Sequence, residues 1–243
     1  MADDRRPAYY AASGGGWRDW WTLLHPPYTA WHLSYVVLGA SLAPRPNATR
    51  LIATLLGFFA AVGVAAHALD ELHGRPLRSA IPSKALVAAT AAGLAGALAL
   101  GALGVAQVGW VLLPFLVVGP ALVVAYNAEL FGGIVHTDAG FAAAWGSFPF
   151  LCSYVAQTAT LRLAPAIGAV GAFAFSYAQR SLSTPARQVR RSAVAVDGSM
   201  RLADGSTERI VERTLLAPLE RALRALSWAM VLTAAALAIA RFG

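Results

Sequence analysis

The chain has 243 residues, 58% of them hydrophobic and only 13% charged, roughly half the charged share of an ordinary globular domain. That composition excludes a disordered or collagen-like chain and leaves little for a water-soluble core: about 20 mostly apolar residues make one transmembrane helix, and the apolar positions suffice for about seven. A net charge of +7 and a pI of about 10.2 would suggest nucleic acid in a polar protein, but these charges lie between apolar runs, where membrane orientation rules account for them and no nucleic-acid partner is expected.

Residues 1–16 are polar and Gly-rich, without an apolar signal core, and read as a flexible tail. Residues 17–243 read as a single transmembrane domain of the all-α class, a polytopic membrane helix bundle. Trp17, Trp20 and Trp21 form an interfacial aromatic anchor, and Pro26 and Pro27 suit the first turn of a helix, where a missing N–H costs nothing. Uninterrupted apolar stretches predict spans at about 22–43, 51–72, 85–104, 110–130, 139–161, 163–180 and 215–240. In the third, Gly93, Gly96 and Gly101 permit close helix packing. Pro114 and Gly119-Pro120 are expected to kink the fourth, and Cys152 lies inside the fifth, so neither a disulfide framework nor a CxxC metal site is present. The long loop 181–214 carries a hairpin signal around Asp197-Gly198. From about Thr207 an amphipathic helix, with Glu220 and Arg224 at i, i+4, runs into the last span with a kink near Pro218.

With the N-terminus in the cytoplasm, fifteen of the nineteen basic residues fall on inner segments, and only Arg45, Arg50, Arg162 and Arg241 fall outside. The positive-inside rule therefore fixes the orientation and puts the loops 73–84, 131–138 and 181–214 on the cytoplasmic side. The expected home is a prokaryotic plasma membrane, with the active-site side cytoplasmic.

Ionisable groups inside spans cost several kcal/mol, roughly 2.5–3.5 on insertion scales, so each is a functional candidate. His25, Tyr28, His32 and Tyr35 fall on one face of the first span. His67, Asp70 and Glu71 share a face at the end of the second, above the loop carrying Arg75 and Arg78; two carboxylates and a histidine on one turn suit Mg²⁺ or, by mixed ligation, a transition metal. Pairing of those carboxylates with Arg75 and Arg78 is the plainer alternative. The fourth span ends in Tyr126, Asn127 and Glu129, followed by His136 and Asp138, where Asp138 is either a ligand or a helix cap. Trp145, Pro149, Ser153 and Gln157 form one row of the fifth span and read as interhelical packing. The sixth ends in Ser176, Gln179 and Arg180, with Arg187, Arg190 and Arg191 beyond, suited to a diphosphate or to lipid headgroups.

The arrangement over about 22–190 resembles the UbiA superfamily of intramembrane prenyltransferases. Asp70 followed by GRPLRSAIPS at 74–83 is similar to the family's acidic motif and basic, Pro-containing loop; Tyr126 and its loop are similar to a tyrosine-bearing cytoplasmic loop; LCSYVAQT at 151–158 is similar to a stretch in quinone-type members. Where the family's motif has earlier Asn and Asp residues this chain has Val62 and Ala66, with His67 and Glu71 beside Asp70, and its sixth span ends in Tyr177, Gln179 and Arg180 rather than in a second acidic motif.

The resemblance implies an integral membrane enzyme that transfers the prenyl group of an isoprenoid diphosphate to a lipophilic quinone, aromatic or lipid acceptor. Asp70, Glu71, His67, Tyr126 and His32 are its expected catalytic residues. Arg75, Arg78, Arg180, Gln179, Tyr28, Tyr35 and Asn127 are expected to bind substrate, and Asp70, Glu71, His67, Glu129, His136 and Asp138 to hold Mg²⁺. Three alternatives stand beside it: an iron, zinc or manganese enzyme on these histidines and carboxylates, a terpene cyclase, and a non-catalytic isoprenoid-lipid-binding protein.

Overall fold

The computed structural model describes residues 6–12 and 14–243. Arg5, one of the inner basic residues, lies outside them. A short helix α1 (Trp17–Leu23) precedes α2 (Pro26–Ser41), whose two prolines occupy its first turn as expected. Then follow α3 (Ala48–Leu72), α4 (Ser83–Val108), α5 (Trp110–Asn127), α6 (Asp138–Thr158), α7 (Leu163–Arg191), an antiparallel hairpin β1 (Asp197–Arg201) and β2 (Thr207–Val211), and α8 (Glu212–Phe242). Helices occupy all seven predicted stretches. Five of them, α3 to α6 and α8, are long and apolar enough to cross a membrane. The other two are α2, at 16 residues about 24 Å long against a hydrocarbon core of about 30 Å, and α7, whose last turns carry Arg180, Arg187, Arg190 and Arg191.

Burial separates centre from periphery. In its most apolar window α6 is 56% buried and α4 only 11%, so α6 lies within the bundle and α4 presents apolar side chains outward. Trp31 and Tyr35 of α2 pack with Phe150 of α6, Ala169 and Ala172 of α7 and Met230 of α8. A second cluster joins Val62 and Ala66 of α3, Val123 and Tyr126 of α5 and Trp145 of α6. The row on α6 ties helices together: Ser153 Oγ donates to Val36 O at 2.6 Å, and Gln157 accepts the Asn47 amide at 2.7 Å.

Two helices widen into π turns, α3 over Phe59–Ala66 and α6 over Ala143–Ser147. Both lie just beside polar candidates, a frequent place for such turns. At the first, α4 comes close enough that a Cβ on Gly93 would lie 2.5 Å from Ala60 O.

The segment 181–214 differs from the expected loop. The helix α7 continues to Arg191, and the hairpin turns at Asp204-Gly205 rather than at Asp197-Gly198, which lie in β1. Gly205 takes the left-handed φ of 86° that the turn needs, and Asp204 Oδ1 accepts from the amide and the hydroxyl of Ser206. Those bonds, the hydroxyl's first, hold the Asp204 carboxyl below its ordinary range. Glu220 pairs with Arg190 across to α7 instead of with Arg224, and α8 is one helix through Pro218.

Candidate functional site

The polar candidates converge at one end of the bundle, where the tail, the 73–82 connection, the 128–137 connection and the C-terminal part of α7 meet. The opposite end is closed by plain capping, Arg241 donating to Ser41 O and Ala43 O at 3.1 and 2.6 Å. Backbone strain marks the same end. Of the six non-glycine residues with left-handed φ among the described residues, His25, Arg75, Arg78, Glu129 and Phe131 lie there and only Ala159 lies at the other. Such conformations persist where surrounding contacts over-determine them, and they cluster at binding sites.

His25 stands immediately before Pro26, and its left-handed backbone turns the ring off the helix onto His67, with ring centroids 4.6 Å apart. The His67 Nδ1 proton goes to Gly63 O at 3.1 Å and that of His32 to Trp145 O at 2.9 Å, so each ring keeps an Nε2 lone pair. The hydroxyl of Tyr10 hydrogen-bonds His25 Nδ1, and its ring meets Tyr28 edge-on at 5.4 Å.

On the other side of the cluster, Tyr126 stacks on His136 at 4.4 Å and meets Trp145 edge-on at 5.7 Å. His136 Nδ1 donates to Tyr126 O at 2.9 Å. Arg180 Nε donates to Asp138 Oδ1 at 3.0 Å, and its guanidinium lies over the Phe141 ring. The cap of α6 is Thr137, not Asp138: the Thr137 hydroxyl accepts the Gly140 amide.

Asp70 and Glu71 point to different tasks. The fully buried Glu71 accepts the amides of Leu77 and Ser79, both at 2.9 Å, and so pins the 73–82 connection. The half-buried Asp70 accepts no hydrogen bond and has no ion-pair partner within 4 Å among the described residues; its electrostatic neighbours are Arg187, Arg191 and His136. Arg187 likewise has no carboxylate at ion-pair distance among them, and its hydrogen bond is to Thr184 Oγ1 at 3.4 Å.

Several expected site residues are engaged in structure. Arg75 donates to Ile81 O and Ser83 Oγ, both at 2.6 Å, and pairs with neither Asp70 nor Glu71. Arg78 is exposed. Tyr35 is fully buried, its hydroxyl accepting from Trp31 Nε1 at 2.6 Å and Ser176 Oγ at 3.0 Å, which closes it off from a ligand. Asn127 Nδ2 donates to Val123 O at 2.7 Å. Gln179 Oε1 and the Tyr126 hydroxyl are buried without a partner among the described residues, leaving two polar atoms for a ligand or water.

The six expected metal ligands do not form one site. Among the described residues no three His, Cys, Asp or Glu side chains come together to hold a metal ion. Glu71 is bound to backbone amides and Asp138 to Arg180, while Glu129 lies 3.8 and 3.9 Å from His136 and His73. What the cluster does present is positive charge. Arg187 and Arg191 lie beside the half-buried Asp70, and Arg180, paired with Asp138, neighbours Arg187, an arrangement suited to an anion.

An apolar cavity of about 210 Å³ runs between α3, α4, α5 and α6, lined by Gly57, Phe58, Gly101, Leu116, Phe148 and Cys152. Trp145 and Val123 line it too and pack against Tyr126, so it adjoins the polar cluster from inside the bundle.

Sequence reading missed Asp19. Buried at the start of α1, it accepts the Gly15 amide with Oδ1 and the Ala80 amide with Oδ2, both at 2.9 Å, tying the tail to the 73–82 connection. Its place three residues after a Gly run, in the first turn of a helix, is the available signal. No known protein family, curated protein or solved structure matches the chain.

Proposed function

We propose that the chain is a membrane-embedded enzyme that takes an isoprenoid diphosphate, with the diphosphate at Arg187, Arg191 and Arg180 on the cytoplasmic side and the prenyl chain in the apolar cavity. The observation that carries this reading is Arg187, half-buried and without a carboxylate at ion-pair distance among the described residues, facing Asp70 at the polar end of a bundle of apolar helices. A buried cation in that state gains most from a phosphate oxygen, which returns charge-assisted hydrogen bonds for lost water.

In this reading the allylic C–O bond breaks with both electrons leaving on the diphosphate, whose charge the arginines stabilise. The allylic cation is held against the aromatic faces of Tyr126 and Trp145. A lipophilic acceptor bonds to the cation and gives up a proton, which His67 takes through its Nε2 lone pair. No step runs through a protein-bound Mg²⁺, iron, zinc or manganese ion, because the donors that remain free do not assemble around one.

The test is diphosphate release from geranyl, farnesyl and geranylgeranyl diphosphates by the purified protein, with phenolic or quinoid acceptors, with and without added Mg²⁺. Release that falls at least tenfold in Arg187→Gln is expected, whereas Asp70→Asn, which removes a charge competing for the arginines, should not lower it. Release unchanged in Arg187→Gln, or absent with every donor, overturns the reading. The engagement of Glu71 and Asp138 in structural bonds favours a second reading, an isoprenoid-lipid-binding protein without turnover; bound lipid with no diphosphate released is its signature.

A further inference from the structure

The mouth of the cationic cluster is filled by the chain's own tail. Over 7–12 the chain folds back onto the bundle, burying Ala8 and Ala11. Among the described residues its holds are exchangeable: Arg191 Nε donates to Pro7 O at 3.2 Å, the Ala12 amide to Thr22 Oγ1 at 3.1 Å, Arg224 lies over the Tyr9 ring, Tyr10 hydrogen-bonds His25, and both tyrosine rings meet Tyr28. Tyr10 also faces Arg187 and Arg191. It thus sits among the same groups that surround Asp70.

Next to this segment Gly15 and Gly16 have φ of 106° and 61° with open space around them, a backbone that glycine adopts freely and other residues resist. Asp19 pins this glycine turn itself, accepting the Gly15 amide and donating its own to Gly16 O, and ties it to the Ala80 amide. The turn is an anchored base for the segment that precedes it. We propose that residues 7–12 are a strap that covers an anion-binding mouth through Tyr10, and that an anionic ligand enters by taking Arg191 from Pro7 and displacing Tyr10 from beside Arg187. The inference rests on the reading of these arginines as an anion site, and it adds the element that guards that site.

The exchange is favourable on bond chemistry. In the closed state Arg191 is held by a neutral backbone carbonyl and Arg187 by a long bond to a hydroxyl. A phosphate oxygen makes charge-assisted bonds roughly twice as strong as neutral ones. What the strap loses is the bonds at Pro7, Ala12 and Tyr10, the contact of Tyr9 with Arg224 and the burial of two alanines and the Tyr10 ring, which the ligand's bonds to Arg187 and Arg191 have to outweigh.

The probe is inorganic pyrophosphate, with binding measured by calorimetry on the full chain. Tyr10→Ala is expected to bind it at least tenfold more tightly than the wild type, and Tyr10→Phe, which loses only the bond to His25, about threefold more tightly. Adding Arg187→Gln to Tyr10→Ala should abolish the gain. In a Cys152→Ala background, an Ala11→Cys thiol, 2% exposed at that position when closed, should react slowly with a maleimide and at least fivefold faster at saturating pyrophosphate. Wild-type affinity in both Tyr10 variants, with labelling indifferent to pyrophosphate, overturns the strap while leaving the anion site standing. Absence of binding in every variant overturns the anion site, and the strap with it.

Discussion

Glu71 Oε2 accepts the Leu77 amide at 2.9 Å, while Oε1 takes that of Ser79. One buried carboxylate thus organises the turn that sequence reading places under a metal. Its neighbour Asp70, one residue earlier on the same helical end, has no hydrogen-bond or ion-pair partner among the described residues. Adjacent positions on a helix differ by about 100° in direction, so two neighbouring acids need not share a task.

Replacing Glu71 should therefore be a matter of folding before chemistry. Glu71→Ala leaves two buried amides without acceptors and is expected to cost about 2–4 kcal/mol. Glu71→Gln keeps one acceptor and should cost less, whereas Asp70→Asn should leave stability within about 0.5 kcal/mol. Thermal unfolding of the three variants in one detergent reads the order directly. Equal losses at positions 70 and 71 would remove the division of labour between them.

The small residues of α4 are likewise not equivalent. At Gly93 an added Cβ lies 2.5 Å from Ala60 O and 2.9 Å from Ala65 Cβ, backbone and stub atoms that cannot swing away. At Gly96 the nearest contact is Ala60 Cβ at 3.9 Å. Gly93→Ala is expected to destabilise by about 1–3 kcal/mol, and Gly96→Ala to be neutral or stabilising by up to about 1 kcal/mol through helix propensity. Unfolding midpoints that move together in both variants would contradict the close approach of α4 to the π turn.

Much of the fold was legible because apolar length is a strong signal. Every predicted stretch coincides with a helix, and Pro26-Pro27 sits in a first turn. The hairpin was legible as a hairpin, but two turn-forming pairs, Asp197-Gly198 and Asp204-Gly205, compete in the sequence, and the bonds from Ser206 to Asp204 decide for the second. At the site, residue types were legible and partners were not. Whether Asp138 meets a metal or Arg180, and whether Tyr35 faces a ligand or Ser176, depends on which helices are neighbours, and no local pattern encodes that. The tail is the sharpest case: it has no apolar periodicity, and Tyr9 and Tyr10 pack through rings and arginines that lie far away in sequence.

Tyr10 also gives the strap a pH signature. Burial, and after it the neighbouring Tyr28, pushes the phenol well above its ordinary value near 10, with Arg191 and Arg187 pulling the other way. A phenol whose pKa is raised on folding contributes stability that is fully present below about pH 10 and is lost as pH rises from there toward the raised value, by about 1.4 kcal/mol per unit. The tyrosinate absorbance of the wild type minus that of Tyr10→Phe should accordingly be far below half-maximal at pH 10. Half-ionisation at that pH would mean that Tyr10 is in water and that the strap is open.

Arg180 has two claims on it, and they can be separated. Its bond to Asp138 joins α7 to the start of α6 beside Tyr126 and His136, and Asp138 is partly exposed, so the pair itself is worth no more than about 1 kcal/mol. As a diphosphate ligand Arg180 must share its fork with the incoming phosphate or give up the carboxylate. Asp138→Asn removes the competing charge and is expected to tighten pyrophosphate binding by about three- to tenfold, and Arg180→Gln to weaken it by at least tenfold. In the double variant the gain from Asp138→Asn should vanish, since it acts through the arginine. Calorimetric affinities for the four proteins close the cycle. Unchanged binding in Arg180→Gln would confine Arg180 to holding the two helices together and leave the anion to Arg187 and Arg191.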